Sequence, residues 1–306
     1  MKIAFLFTCY NRIDKTRRCI ETISKAIEYA EKNFFKDESI VTKDKNIEAI
    51  WYVTDAGSKD GTLEILNEWS DKYEMHTCVE NDVYYSQGMR VCLNMAMASE
   101  KCDYYILIND DVEFYVDFLY KMINMVADKE EHAEYGNCMS VIVGATDDGK
   151  RQTYGGIRYQ KGVPKCNHLA LRKIRYEMVK TDDVNRKCHT FNANCVLISG
   201  EIFQKSGLMD EKYVHSLGDF DYGMRIYEQN GEVIQSTDFF VGKCLNNSQT
   251  GTWMDNSLGR IDRIKRLNST KGSPTNLWFH YLYKHFGLVT ACVYSISPYV
   301  RIMLGK

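Results

Sequence analysis

Short, unbroken apolar runs alternate with longer stretches of helical spacing through the first 130 or so residues. KIAFLFT (2–8) and EAIWYVT (48–54) have the continuous apolar character of strands covered on both faces. Between them, Ile20, Ile23, Ile27 and Ala30 recur every three or four positions, which predicts a helix over 15–34. Leu63, Leu66 and Trp69 predict a helix over 61–72, and Met89, Cys92, Leu93 and Ala96 one over 87–99. MHTCVE (75–80) and 103–108 read as third and fourth strands, and 114–127 as the helix that follows. Strands and helices in this alternation specify an α/β fold: a parallel sheet with helices on both faces and right-handed crossovers. The second half is less regular. CMSVIVGAT (138–146) and FNANCVLIS (191–199) read as strands, 201–210 as a short helix stopped by glycine, and 218–231 as a helix leaving through Asn-Gly. The polar 147–187 segment suggests a hairpin or flap. Its glycines, Gly149, Gly155, Gly156 and Gly162, suit either a lid or a solvated hairpin.

Each early strand ends in polar residues: TCYNR (8–12), TDAGSKDGT (54–62) and NDDV (109–112). Ligands in such sheets sit beyond the carboxyl ends of the strands, so the three clusters should meet in one crevice. Asp110 and Asp111 there can hold a divalent cation against a diphosphate, or can simply turn the chain into the next helix.

Composition narrows the class. With 306 residues, 44% hydrophobic, 26% charged and a net charge of −2, the chain reads as an ordinary globular protein and not as a nucleic-acid binder. Its eleven cysteines form no C-x-x-C pair and no zinc spacing. The N-terminus reads as a strand and not as a leader, so reduced thiols and a cytoplasmic location are expected. There is no G-x-x-x-x-G-K-[ST] and no G-x-G-x-x-G after the first strand, which argues against P-loop and dinucleotide chemistry. Charge is uneven. From Ser257 onward there are eight Lys/Arg against one acid, a net +7 that leaves −9 for the remainder. Residues 286–300 are apolar but too short to span a bilayer, and Pro298 interrupts them. Two readings of this tail stay open: an interfacial segment on the inner face of an anionic membrane, or a helix pair packed on the protein or on another subunit.

TCYNR, TDAGSKDGT and NDDV on successive strands, QGMRVCLNMAMAS (87–99) and SLGDFDYGMR (216–225), in that order, resemble the family 2 glycosyltransferases of the inverting, rhamnosyltransferase-like kind. The resemblance covers roughly the first 240 residues. It implies a GT-A fold over 1–245, with a nucleotide-sugar half (1–112) and an acceptor half (113–245), followed by a basic, aromatic helical extension (246–306). It also implies donor contacts from Thr8, Tyr10, Asn11, Arg12, Asp55, Gly57, Ser58, Arg90 and Asp110. By the same resemblance Asp111 holds Mn²⁺ or Mg²⁺, with Asp110 and Cys244 as further candidate ligands. Asn109 stands where the family often has Asp, and Cys244 lies nearest the place where many relatives have a metal-binding histidine. Asp219 matches the catalytic base, while Gly218 and Asp221 fall on the acceptor motif, Gly218 where the family usually has Glu.

The implied reaction transfers a hexosyl or deoxyhexosyl group, with inversion, from a nucleotide-diphosphate sugar to a hydroxyl of a saccharide or lipid-linked saccharide. Surface-polysaccharide assembly is the expected setting. A homo-oligomer is compatible with the sequence. Two rival readings are a sugar nucleotidyltransferase, which would need a glycine-rich basic loop where TCYNRIDKTRR has no glycine, and a non-catalytic nucleotide-sugar-binding protein.

Overall fold

The computed structural model describes residues 1–34, 46–132, 140–160, 166–236, 238–246 and 249–305. The first half keeps the alternation that its apolar spacing predicts: β1 (Lys2–Cys9), α1 (Ile13–Phe34), β2 (Glu48–Asp55), α2 (Thr62–Ser70), β3 (Glu74–Val79), α3 (Tyr85–Ala98) and β4 (Tyr104–Ile108). There follow β5 (Glu113–Phe114), α4 (Phe118–His132), β6 (Ser140–Val143), β7 (Thr146–Asp147), β8 (Gln152–Tyr154), β9 (Gly156–Tyr159), β10 (Tyr176–Met178), β11 (Thr190–Phe191), β12 (Cys195–Ser199) and α5 (Gly200–Ser206). The chain closes with α6 (Gly218–Glu228), β13 (Glu232–Gln235), β14 (Gly242–Lys243), α7 (Arg260–Leu267), α8 (Thr275–Phe286) and α9 (Leu288–Met303).

The main sheet has seven strands in the order β13-β6-β12-β4-β1-β2-β3. β1 lies in its interior between β4 and β2, and its pleat divides the core in two. Ile3, Phe5 and Phe7 pack with Ile20, Ile23 and Ile27 of α1 on one face. Ala4 and Leu6 pack with Met89 and Leu93 of α3 on the other. This is why β1 reads as a continuous apolar run: both sides of it are covered. Trp51 of β2 stacks on Phe5 with ring centroids 4.7 Å apart.

The sheet is mostly parallel, but β12 runs antiparallel to both β4 and β6. The reversal brings the residues preceding β12 beside the carboxyl end of β4, where Asn109 N–H donates to Asn194 O at 3.2 Å. A loop from the second half is thereby delivered to the crevice at the strand ends. The 147–187 segment contributes β8, β9 and β10, with β10-β9-β11 forming a small antiparallel sheet. Gly162 lies outside the described residues.

The tail folds into an α8–α9 hairpin packed against the rest of the fold. Tyr281, Leu282, Phe286 and Ala291 are buried with Tyr159, Tyr213 and Met224, and the Tyr159 and Tyr281 hydroxyls meet at 2.7 Å. Among the described residues no helix is long and apolar enough to cross a membrane.

Candidate active site

The turns after β1 and β2 lock together. Asn11 takes a left-handed backbone (φ 48°), which short polar residues tolerate best. Its side-chain oxygen accepts from Lys59 N–H at 2.7 Å, and its N–H donates to Ser58 Oγ at 2.9 Å. Asp55 is buried and accepts from the N–H groups of Gly57 and Ser58 at 2.8 and 2.6 Å. Gly57 has φ 85°, and a Cβ there would strike Asn81, so the turn needs glycine. Asp60 accepts from Ile13 N–H at 2.9 Å and so fixes the start of α1.

Those turns aim α1 at the end of β4. Arg12 Nη1 lies 2.9 Å from Asp110 Oδ1 and 3.3 Å from Asp111 Oδ2. Thr16 Oγ1 donates to Asp110 Oδ2 at 3.1 Å, and Lys15 Nζ is 3.7 Å from Asp111 Oδ2. Both Asp110 oxygens are therefore engaged. Burial, with Asp111 adding to it, pushes Asp110 up to about 6 against the pull of Arg12. Asp111 is the more exposed of the pair.

Asp219 comes from the first turn of α6. Its Oδ2 accepts from Ala193 N–H at 3.3 Å and its Oδ1 from Phe220 N–H at 2.9 Å. Burial raises it to about 6 although those hydrogen bonds favour the charged form. The Tyr85 hydroxyl, buried and without a hydrogen-bond partner among the described residues, lies close enough for the Asp219 charge to raise its pKa further after burial has done most.

Arg12, Asp110, Asp111, Tyr85 and Asp219 line one cavity of about 1190 Å³, large enough for a nucleotide sugar together with a second sugar. One wall carries Thr8, Tyr10, Asn11, Arg12, Asp110 and Asp111. The other includes Asp219, Phe220, Tyr154, Tyr176, Trp253 and Trp278, with Lys271 and Arg301. Asp55 sits just behind Cys9 and Ala56, which do line the cavity, and Gly57 and Ser58 shape the same turn without lining it.

Three other residues read as site residues from sequence are engaged elsewhere. The Arg90 guanidinium donates to the Met209 carbonyl and does not line the cavity. Gly218 is packed so closely that a Cβ would strike the Ser86 hydroxyl, which leaves no room for the family's Glu. Asp221 is fully buried and faces away from the cavity. It pairs with Arg225 at 3.0 Å, Lys284 at 2.7 Å and His285 Nε2 at 3.1 Å. Burial alone would raise its pKa, but His285 and Lys284 hold it below the usual carboxylate range. Asp221 thus ties α8 to α6, and the reading of it as an acceptor contact gives way to this anchoring role.

Among the described residues no three His, Cys, Asp or Glu side chains converge as a metal cluster. Cys244 Sγ is 3.8 Å from Asp111 Oδ1, but burial, with the Asp111 charge, pushes its thiol up to about 12. A protonated thiol is a poor ligand for Mg²⁺ or Mn²⁺. What fits such a cation is Asp111 alone, completed by substrate oxygens and water.

Sequence reasoning missed Lys15, Thr16, Tyr85, Asn194 and His215. Lys15 and Thr16 were legible in principle, since they follow TCYNR on the first turn of α1. His215 lines the cavity with its Nδ1 buried and unpartnered among the described residues, and only tertiary packing brings it there.

No curated protein matches the chain. Among solved structures it is similar to S. aureus TarS 1-349 in complex with UDP-GlcNAc, at 10% identity and TM-score 0.51, covering 99% of this chain and 81% of that one. It is also similar to the mannosyltransferase PcManGT from Pyrobaculum calidifontis in complex with GDP-Man and Mn²⁺, at 13% identity and TM-score 0.49, covering 99% and 73%. The architecture is the GT-A fold. The sequence model of glycosyl transferase family 2 matches residues 5–206, well over half of the chain; this protein belongs to that family and is a glycosyltransferase.

Proposed function

We propose that the protein transfers a sugar, hexosyl or deoxyhexosyl, from a nucleotide-diphosphate donor to a hydroxyl of a saccharide or lipid-linked saccharide, in one displacement that inverts the anomeric centre. The observation that supports this reading is the shared cavity, with the Arg12–Asp110–Asp111 cluster on one wall and Asp219 on the other. Arg12 and Lys15 offer positive charge to the donor's diphosphate, and Asp111 is the carboxylate that would hold Mg²⁺ or Mn²⁺. When bound, such a cation would stabilise the charge that grows on the departing diphosphate. Tyr10, 55% exposed on the cavity wall, offers its ring to the base. Asp219, held by two backbone N–H groups, takes the proton from the acceptor hydroxyl as that oxygen attacks.

On this reading residues 1–245 are the catalytic unit, with 1–112 binding donor and 113–245 presenting acceptor. Residues 246–306 are an extension that completes the acceptor wall. Surface-polysaccharide assembly is the setting we favour, and it remains a proposal from the family resemblance.

The test is a thermal-shift screen of UDP-, GDP-, dTDP- and CDP-sugars with and without Mn²⁺, followed by product analysis with the stabilising donor. A ligand that binds only the folded state raises the melting temperature. A product of inverted configuration, absent with Asp219→Asn, supports the mechanism. A retained configuration, or full activity in the variant, refutes it.

A further inference from the structure

α9 has two unlike faces. Tyr294, Ser297, Pro298 and Arg301 line the cavity, and Ala291, Ser295 and Ile302 are buried against the body. At about 100° per residue the opposite side carries Leu288, Cys292, Val293, Ile296, Val300 and Met303. All six are exposed, and the five other than Cys292 are each 45–57% accessible. Leu304 extends the stripe at 65%. No acid occurs anywhere in α9. A sixteen-residue helix is too short to span a bilayer, but an apolar stripe of this kind is what an interfacial helix buries.

Charge selects the occupant. α7 packs on α9 and exposes Arg260, Lys265 and Arg266 against one acid, Asp262. Tyr299 joins α9 to the turn after α7 through Asn268, whose Nδ2 lies 2.9 Å from its hydroxyl. The whole segment from Ser257 carries +7. An isologous contact with a second copy would press two such basic segments together, whereas anionic headgroups complement them. Tyr283, exposed on α8 beside the start of α9, adds an aromatic of the type that favours headgroup depth.

We infer that the outer face of α9, flanked by the basic surface of α7, seats this protein on an anionic lipid surface. The same helix then contributes to the acceptor wall from its inner face, so a saccharide tethered to that surface can reach Asp219 without leaving it. This goes beyond the proposed reaction, and its test does not depend on it.

The experiment is co-sedimentation of the full chain with vesicles of phosphatidylcholine, alone or mixed with phosphatidylglycerol. The wild type is expected to bind the mixed vesicles at least about tenfold more tightly, with release by salt. Ile296→Glu combined with Val300→Glu should lose about tenfold or more of that binding. Both positions are exposed, so melting temperature and donor-induced thermal shift should be unchanged. Val79→Glu, on the exposed sheet edge, should bind like wild type. The inference is overturned if the wild type stays in the supernatant with anionic vesicles, or if the double variant binds as well as wild type. It is equally overturned if the wild type is a dimer that the double variant converts to monomer.

Discussion

The two walls of the cleft are built on different principles. The wall at the ends of β1, β2 and β4, proposed above to hold the donor, is made of residues within a few positions of the strand that launches each, and its groups pair at short range: Arg12 and Lys15 with Asp110 and Asp111. The wall proposed to hold the acceptor is assembled from segments far apart in the chain, namely α6, the loop before β12, the segment bearing β8–β10 and the C-terminal helices. Two carboxylates two residues apart on α6 show what this does. Asp219 faces the cavity without a cationic partner among the described residues and is raised to about 6. Asp221 faces inward, meets three cationic side chains and is held low. The same residue type on the same turn is raised by one environment, as the proposed base requires, and held low as an anchor by the other.

The largest test of that contrast is Asp219→Asn. It should lower transfer by roughly 10²–10⁴-fold while leaving thermal stability equal or slightly higher, because a buried charge is removed. Asp221→Ala should do the reverse. It removes the buried anion that Lys284, His285 and Arg225 share, leaving them Asp210, Glu228 and two backbone carbonyls, and should cost about 3 kcal/mol in denaturant unfolding, with earlier proteolysis of the α8–α9 hairpin. If Asp221→Ala instead left stability unchanged and removed activity, the division between the two carboxylates would fail.

On the donor wall, Arg12→Met leaves Asp110 and Asp111 without their main counter-charge. Donor affinity, read from the ligand-induced thermal shift, should fall by roughly tenfold or more, with transfer at saturating donor affected less.

pH has a gentler effect and acts on both walls, since Asp110 as well as Asp219 is raised to about 6. On the proposed mechanism Asp219 must be ionised to act, so kcat/KM should rise with pH through about 6. Its native pKa lies above the ordinary value of 3.8, so the native state holds more protons between the two, and this group's share of stability falls as pH rises across that window. His285 behaves differently. Burial alone would lower its pKa, but Asp221 and Glu228 raise it above 6.5. The stability it contributes is complete below 6.5 and is lost as pH climbs through the raised value. Activity that rises only near pH 4 would exclude Asp219 as the raised base.

The smallest effect belongs to Cys244→Ala. With the thiol protonated, the variant should keep the wild-type dependence on Mg²⁺ or Mn²⁺ within about twofold, at a stability cost of about 1 kcal/mol. A lost metal response would restore Cys244 as a ligand.

Much of the donor side was legible because its logic is local. The apolar run of β1 and the helical spacing of Ile20, Ile23 and Ile27 placed Arg12 at a strand end, and NDDV placed Asp110 and Asp111 at another. Arg90 was misread because its distance from the strand ends gave no hint that the Met209 carbonyl would claim its guanidinium. The anchoring role of Asp221 was hidden for the same reason: Arg225 is one helical turn away, but Lys284 and His285 lie some sixty residues further on, on α8.

By itself, then, the sequence determined the strand–helix alternation, the polar turns and the position of Asp219 at a helix start, all of which follow from periodicities and turn chemistry spanning a few residues. Only the tertiary structure decided that β12 reverses, that α8 and α9 pack against the body beside the cleft, and which of two neighbouring aspartates faces it. Those outcomes depend on which distant groups share a low-dielectric interior, where one additional cation changes what a carboxylate can do.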